Sequence, residues 1–166
     1  MKLTKEFIVK MLKYVDTKVV FAEIPDEITL AINISGCPCN CKGCHSSYLA
    51  GDIGERLDFD SLDKVINANT GVTCISFMGG DVNPSTVNIL AEFIRATYPE
   101  LKIAWYSGRQ ELSEDIKLMN FDYIKLGPYS EEFGPLNSVT TNQRMYKVVK
   151  QNGNYELVDI TNKFWK

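Results

Sequence analysis

The chain has 166 residues, 45% of them hydrophobic and 23% charged, with a formal net charge of −3. Those values are ordinary for one soluble globular domain that buries a core, and they give no nucleic-acid footprint. No apolar run approaches the roughly 20 residues that span a bilayer. The first six residues, Met1-Lys2-Leu3-Thr4-Lys5-Glu6, lack the apolar core of a signal peptide. The expected setting is a reducing cytoplasm, where cysteines stay thiols and are available as ligands.

Taken in order, residues Thr4 to Tyr14 carry Phe7, Ile8, Met11 and Leu12 at helical spacing, continued by Val15, and predict a short amphipathic helix. Lys18–Glu23 predicts a strand, and Pro25-Asp26-Glu27 a turn. Ile28–Ile34 is β-branched and nearly all apolar, as in a strand buried on both faces. It runs straight into Gly36 and Cys37. Asp58–Asn67 predicts a helix capped by Asp58 or Asp60, with Leu62, Val65 and Ile66 on its apolar face. Val72–Met78 predicts a second buried strand, ending at Gly79-Gly80-Asp81. Pro84-Ser85 opens a helix that Tyr98-Pro99 stops. Leu101–Tyr106 predicts a third strand ending at Ser107-Gly108, Glu111–Leu118 a helix, and Tyr123–Leu126 a fourth strand.

This alternation predicts an α/β fold of one domain over residues 1–166, a partial (β/α) barrel with a mostly parallel sheet. A complete eight-fold barrel needs about 250 residues. The tail differs: Met145–Val149 and Tyr155–Val158 alternate around Asn152-Gly153, a β-hairpin signal. Tyr129–Gln143 forms a long polar connection, of a length that is often functional.

Four of the five cysteines and the only histidine lie within Ser35–His45, at the C-terminal end of the first core strand. That is the end at which α/β proteins place their sites. Cys37-x-x-x-Cys41-x-x-Cys44 gives three thiolates in one tight loop, with Cys39 between them. A structural zinc site and an ordinary electron-carrier cluster each take four protein ligands. If Cys37, Cys41 and Cys44 hold three irons of a four-iron cluster, one iron stays open to a substrate or cosubstrate. Two other readings stand beside this one. A zinc knuckle would use Cys37 or Cys39 with Cys41, Cys44 and His45. A redox CxxC would use Cys41 and Cys44. Gly36 and Gly43 suit a backbone wrapped around an inorganic core, and Pro38 stiffens the start of the loop. Cys74, mid-strand among apolar neighbours, reads as a buried inert thiol.

The cysteine spacing after a strand resembles the signature of the radical S-adenosylmethionine enzymes. Gly79-Gly80-Asp81 resembles that family's Gly-Gly-Glu element, with the shorter Asp in place of Glu. Over about Ile28–Arg144 the chain is most similar to the activating proteins of anaerobic ribonucleoside-triphosphate reductase. Ser35-Gly36-Cys37-Pro38 with Cys41-Lys42-Gly43-Cys44 resembles their cluster loop. Leu126-Gly127-Pro128-Tyr129, Gly134-Pro135-Leu136 and Thr140–Arg144 resemble their C-terminal segment.

The resemblance implies a [4Fe-4S] cluster on Cys37, Cys41 and Cys44, with Cys39 a bystander and His45 no ligand. S-adenosylmethionine would chelate the open iron. One electron would cleave it to methionine and a 5′-deoxyadenosyl radical, which would take a hydrogen atom from a glycine of the large subunit of the anaerobic ribonucleotide reductase. Electrons would come from a flavodoxin- or ferredoxin-type donor. No nucleic acid or membrane partner is implied. Cofactor contacts would fall on Gly43, Gly79, Gly80, Asp81 and Ser107, and Lys125 either faces the same pocket or pairs with a surface acid. No side chain is assigned a catalytic role, because the cluster and cosubstrate carry the chemistry. Another small radical S-adenosylmethionine enzyme, and a non-catalytic iron–sulfur or zinc module, are the alternative functions.

Overall fold

The structure, a computed structural model, describes residues 12–44 and 46–165. Strands β1 (Lys13–Val20), β2 (Thr29–Ile34), β3 (Glu55–Arg56), β4 (Cys74–Met78), β5 (Lys102–Tyr106), β6 (Tyr123–Leu126), β7 (Arg144–Gln151) and β8 (Asn154–Asp159) form one sheet. Their spatial order is β3-β1-β2-β4-β5-β6-β7-β8. Helix α1 spans Phe59–Asn67 and α2 spans Pro84–Thr97.

The expectation of a mostly parallel sheet needs correction. β2, β4, β5 and β6 are parallel neighbours. β1 and β7, which flank them, pair antiparallel, as do β3 and β8 outside them. Among the described residues the sheet is therefore mixed and open, with β3 and β8 as its edges, rather than a closed barrel.

Alternation sorts each central strand into two faces. Leu30, Ile32 and Ile34 of β2, Ile75 and Phe77 of β4, Ile103 and Trp105 of β5, and Ile124 and Leu126 of β6 meet α1 and α2 in the main core. Leu62 and Ile66 of α1 and Val87, Leu90, Ala91 and Ile94 of α2 complete it, with Phe59 stacked on Phe93. The opposite face carries Cys74, Ala104, Tyr123 and Met145, packed with Ile24 and Ile160 in a smaller cluster.

The helix starts follow their capping residues. Asp58 accepts from the Ser61 N–H at 2.8 Å, and Ser61 Oγ accepts from the Asp58 N–H at 2.9 Å, a reciprocal capping box. Asn83 caps α2, with Pro84 next, where a missing N–H is harmless. The tail hairpin turns at Asn152 (φ 53°) and Gly153 (φ 81°), two successive left-handed residues, as its sequence predicts.

Three expected elements differ. The Thr4–Tyr14 helix lies outside the described residues as far as Met11, while Lys13, Tyr14 and Val15 belong to β1. The Lys18–Glu23 strand ends at Val20, and β1 begins five residues earlier than expected, because it pairs along the whole of β2. Glu111–Leu118 is not a helix; a single 3-10 turn covers Leu118–Asn120. Ser113 there makes a local turn, its Oγ accepting from the Asp115 N–H and its carbonyl from the Ile116 N–H. The Lys117 N–H, which a helix would send to Ser113, goes instead to Asn88 Oδ1 at 2.9 Å. The Asn120 amide donates to the same oxygen at 3.2 Å.

Asn88 is thus a buried side chain of α2 that organises the chain entering β6. Asn88→Ala takes the acceptor from the Lys117 N–H and from the buried Asn120 amide and is expected to cost about 2 kcal/mol. Asp58→Ala, which removes a partly buried helix cap, should cost about 1 kcal/mol. Urea unfolding of the two variants checks the order.

Candidate iron–sulfur and cosubstrate site

The four parallel strands end on one edge of the sheet, and each end is a turn. β2 leads into Ser35-Gly36-Cys37, β4 into Gly79-Gly80-Asp81, β5 into Ser107-Gly108, and β6 into Gly127-Pro128. Cross-bonds tie the turns together. The Gly79 N–H donates to the Tyr106 carbonyl at 3.1 Å and the Ser107 N–H to the Lys125 carbonyl at 2.9 Å. Trp105 Nε1 donates to the Gly79 carbonyl at 2.8 Å.

The cysteine loop leaves this edge with Gly36, Asn40 and Gly43 all at positive φ (75°, 47° and 75°). These left-handed positions let a short chain curl back on itself. The Gly36 and Cys37 N–H groups donate to the Gly51 and Leu49 carbonyls at 3.0 and 2.9 Å, which fixes the start of the loop. Cys37, Cys39, Cys41 and Cys44 are free and partly exposed. The Ser46 N–H points at Cys44 Sγ at 3.4 Å. His45 lies outside the described residues. Among those residues no three Cys, His, Asp or Glu side chains converge on a point that one metal ion would occupy.

Cys39 differs from the other three. Its Sγ lies 3.7 Å from Asp81 Oδ2. Burial first, then the Asp81 carboxylate and Cys37, push its thiol up to about 12, against the opposing pull of Arg109. It is an S–H donor turned toward the strand ends. Cys74 is fully buried, and burial raises its thiol as well, in keeping with an inert core residue.

Asp81 is 8% exposed and its carboxylate is already engaged. It accepts from Ser107 Oγ at 2.5 Å and from the Gly108 N–H at 2.8 Å. The sequence-predicted Asp81 and Ser107 are therefore brought together, as a bridge between the β4 and β5 turns. Gly79 and Gly80 sit at φ 110° and 97°. A Cβ on Gly80 would lie 2.5 Å from Val87 Cγ2, and one on Gly79 would lie 3.1 Å from the Ile34 carbonyl oxygen. At Gly43 the space a Cβ would need is taken by the Glu131 side chain, so the long connection after β6 covers that part of the loop.

Register explains which other residues reach the site. Asn33, Met78, Tyr106, Lys125 and Met145 form one row across five strands, each at a strand end or one residue from it. Met78, Tyr106 and Lys125 line a cavity of about 1180 Å³, with Cys44, Leu136 and Phe164 among its other walls. A smaller cavity of about 460 Å³ lies at Asp81, Trp105, Ser107 and Arg109. Lys125 thus faces the site rather than a surface acid. Its Nζ donates to the Gly127 carbonyl at 3.0 Å and sits 5.5 Å from the Tyr106 ring centre. Burial lowers its pKa to about 8, partly offset by Asp81 and the loop cysteines. Tyr106, Met78 and Gln143 carry no motif signal. Counting back from the strand ends is what places the first two.

With the geometry in place, comparison with known proteins assigns the chain. Residues 28–132 match the 4Fe-4S single cluster domain, and the chain belongs to that family. No curated protein and no solved structure matches it significantly. The donor set fits an iron–sulfur cofactor: unpaired, partly exposed sulfurs on a glycine-bearing loop, one with a backbone N–H aimed at it. No helix among the described residues is long and apolar enough to cross a membrane.

Two outcomes test this geometry. Gly80→Ala combines positive φ with a collision and should destabilise by more than Gly36→Ala, whose Cβ meets nothing within 4 Å, measured by urea unfolding. For Lys125 the folded chain holds fewer protons than the unfolded chain between about pH 8 and 10.5. Stability relative to Lys125→Met should therefore rise across that window, by about 3 kcal/mol at most. Unfolding the two cluster-free proteins from pH 7 to 10.5 measures the difference, and other titrating groups are common to both.

Proposed function

We propose that the protein is a radical S-adenosylmethionine enzyme that generates a glycyl radical on an anaerobic ribonucleoside-triphosphate reductase. The observation that carries this reading is the convergence of a three-thiolate loop with Gly79-Gly80-Asp81 and Ser107 on one sheet edge, beside a large open cavity. In this reading Cys37, Cys41 and Cys44 hold a [4Fe-4S] cluster and leave one iron for S-adenosylmethionine. Bound there, the cosubstrate would supply radical chemistry, triggered by one electron from the cluster, for abstraction of a hydrogen atom from a protein glycine.

The chain's own residues bind and exclude. Gly79 and Gly80 bring backbone groups close to a ligand. The Asp81–Ser107 bridge holds those turns in place. Tyr106 and Met78 present apolar surface, and buried Lys125 supplies positive charge for an anionic group in the cavity. The cavity, about 1180 Å³, lies just above the roughly 300–1,000 Å³ of ordinary small-molecule sites, which suits a cosubstrate together with a protein loop as substrate. A large-subunit partner and a flavodoxin- or ferredoxin-type donor follow from the same reading, in the cytoplasm.

The test is anaerobic reconstitution with iron and sulfide, then dithionite and S-adenosylmethionine. 5′-Deoxyadenosine should form, and a glycyl radical signal should appear on an added anaerobic reductase. Cys37→Ser, Cys41→Ser and Cys44→Ser should each lose the cluster absorbance and the product, whereas Cys39→Ser keeps both. A fully loaded cluster that yields no 5′-deoxyadenosine would leave an electron carrier as the function.

A further inference from the structure

Cys39 stands between the proposed cluster ligands, and its side chain, within reach of Cys37, also meets the strand ends. Its Sγ lies against Asp81 Oδ2 at 3.7 Å, and a Cβ built on Gly108 would come within 2.7 Å of that sulfur and 3.2 Å of Cys39 Cβ. Gly108 therefore leaves room for the thiol, and its own N–H donates to the same carboxylate at 2.8 Å. Ser107 Oγ donates to the other carboxylate oxygen at 2.5 Å. Backbone bonds to Leu49 and Gly51 hold the start of the loop, and Cys39 reaches the strand ends from its middle.

We infer that Cys39 is a positioning residue: its thiol, seated on Gly108 and bonded to Asp81, clamps the cysteine loop to the β4 and β5 turns and fixes where the cluster sits. The Asp81 carboxylate is then shared by three donors, from Cys39, Ser107 and Gly108. Its short side chain suits that role, because the carboxylate stays at the turn, against the smaller cavity, instead of reaching into the larger one. One hydrogen-bond network joins the ligand loop to the glycine turn, so a change at Cys39 is felt at both.

This inference rests on the ligand assignment proposed above, and the experiment separates the two. Cys39→Ala, Cys39→Ser, Gly108→Ala and the double variant Cys39→Ala/Gly108→Ala are reconstituted anaerobically. Iron content, the electron paramagnetic resonance spectrum of the reduced cluster, and the rate of iron removal by a chelator are measured. Circular dichroism confirms that each variant is folded.

All four variants should load a full cluster. Cys39→Ala should lose iron about tenfold faster than the parent and show an altered reduced-cluster spectrum. Cys39→Ser, which keeps a donor for Asp81, should return to within about twofold of the parent. Gly108→Ala should resemble Cys39→Ala, because the new methyl group displaces the thiol. The double variant should be no worse than Cys39→Ala alone, since contacts within one network are not additive.

Equal rates and spectra for Cys39→Ala and the parent would overturn the clamp and leave the ligand assignment intact. Additive rates in the double variant would also overturn it. Absence of a cluster in both folded Cys39 variants, with Cys37→Ser still loading one, would make Cys39 a ligand and overturn the assignment itself.

Discussion

The site depends on one register. β2, β4, β5 and β6 run side by side in the same direction, so their C-terminal turns fall on a single edge. Residues separated by up to about 90 positions become neighbours without any of the turns being long. The Asp81 carboxylate then joins two of these turns and touches the cysteine loop hanging from a third. Each contact is an ordinary hydrogen bond of about 1 kcal/mol, somewhat more where the acceptor is charged. Their importance lies in tying the turns together beyond the last rungs of the strand ladders.

Charges of both signs meet at this edge. The protein carries a net −3, but the floor of the large cavity holds a buried ammonium with a ring beside it and a carbonyl as acceptor. Burial opposes that charge, while Asp81 and the loop thiols favour it. Arg109, beside Asp81 in the smaller cavity, opposes the rise that burial and Asp81 impose on the Cys39 thiol.

Much of this was legible in the chain. The four parallel strands, both α-helices among the described residues and the tail hairpin follow from apolar periodicity, caps and Asn152-Gly153. The cysteine spacing locates the loop, and strand ends locate Gly79, Gly80, Asp81 and Ser107. The failures share a cause, which is a partner far away in sequence. Leu112 and Ile116 have helical spacing, but Asn88 takes the backbone N–H that a helix would use. β1 is drawn out because β2 supplies a full antiparallel partner. The orientation of Cys39 depends on Gly108, a residue that local pattern marks only as a turn.

The two faces of the sheet have separate duties, and this has an evolutionary consequence. Large aliphatic and aromatic side chains on the helix side hold the fold together. The other side carries Ala31, Ser76 and Ala104 in its central strands, with Met78, Tyr106 and Lys125 nearer the edge. Alternation means that a substitution on one side leaves the packing of the other side untouched. Such a sheet can be recut for a different occupant by changing residues at alternate positions. New specificity can then be gained through steps that leave the helix-packed core as it was.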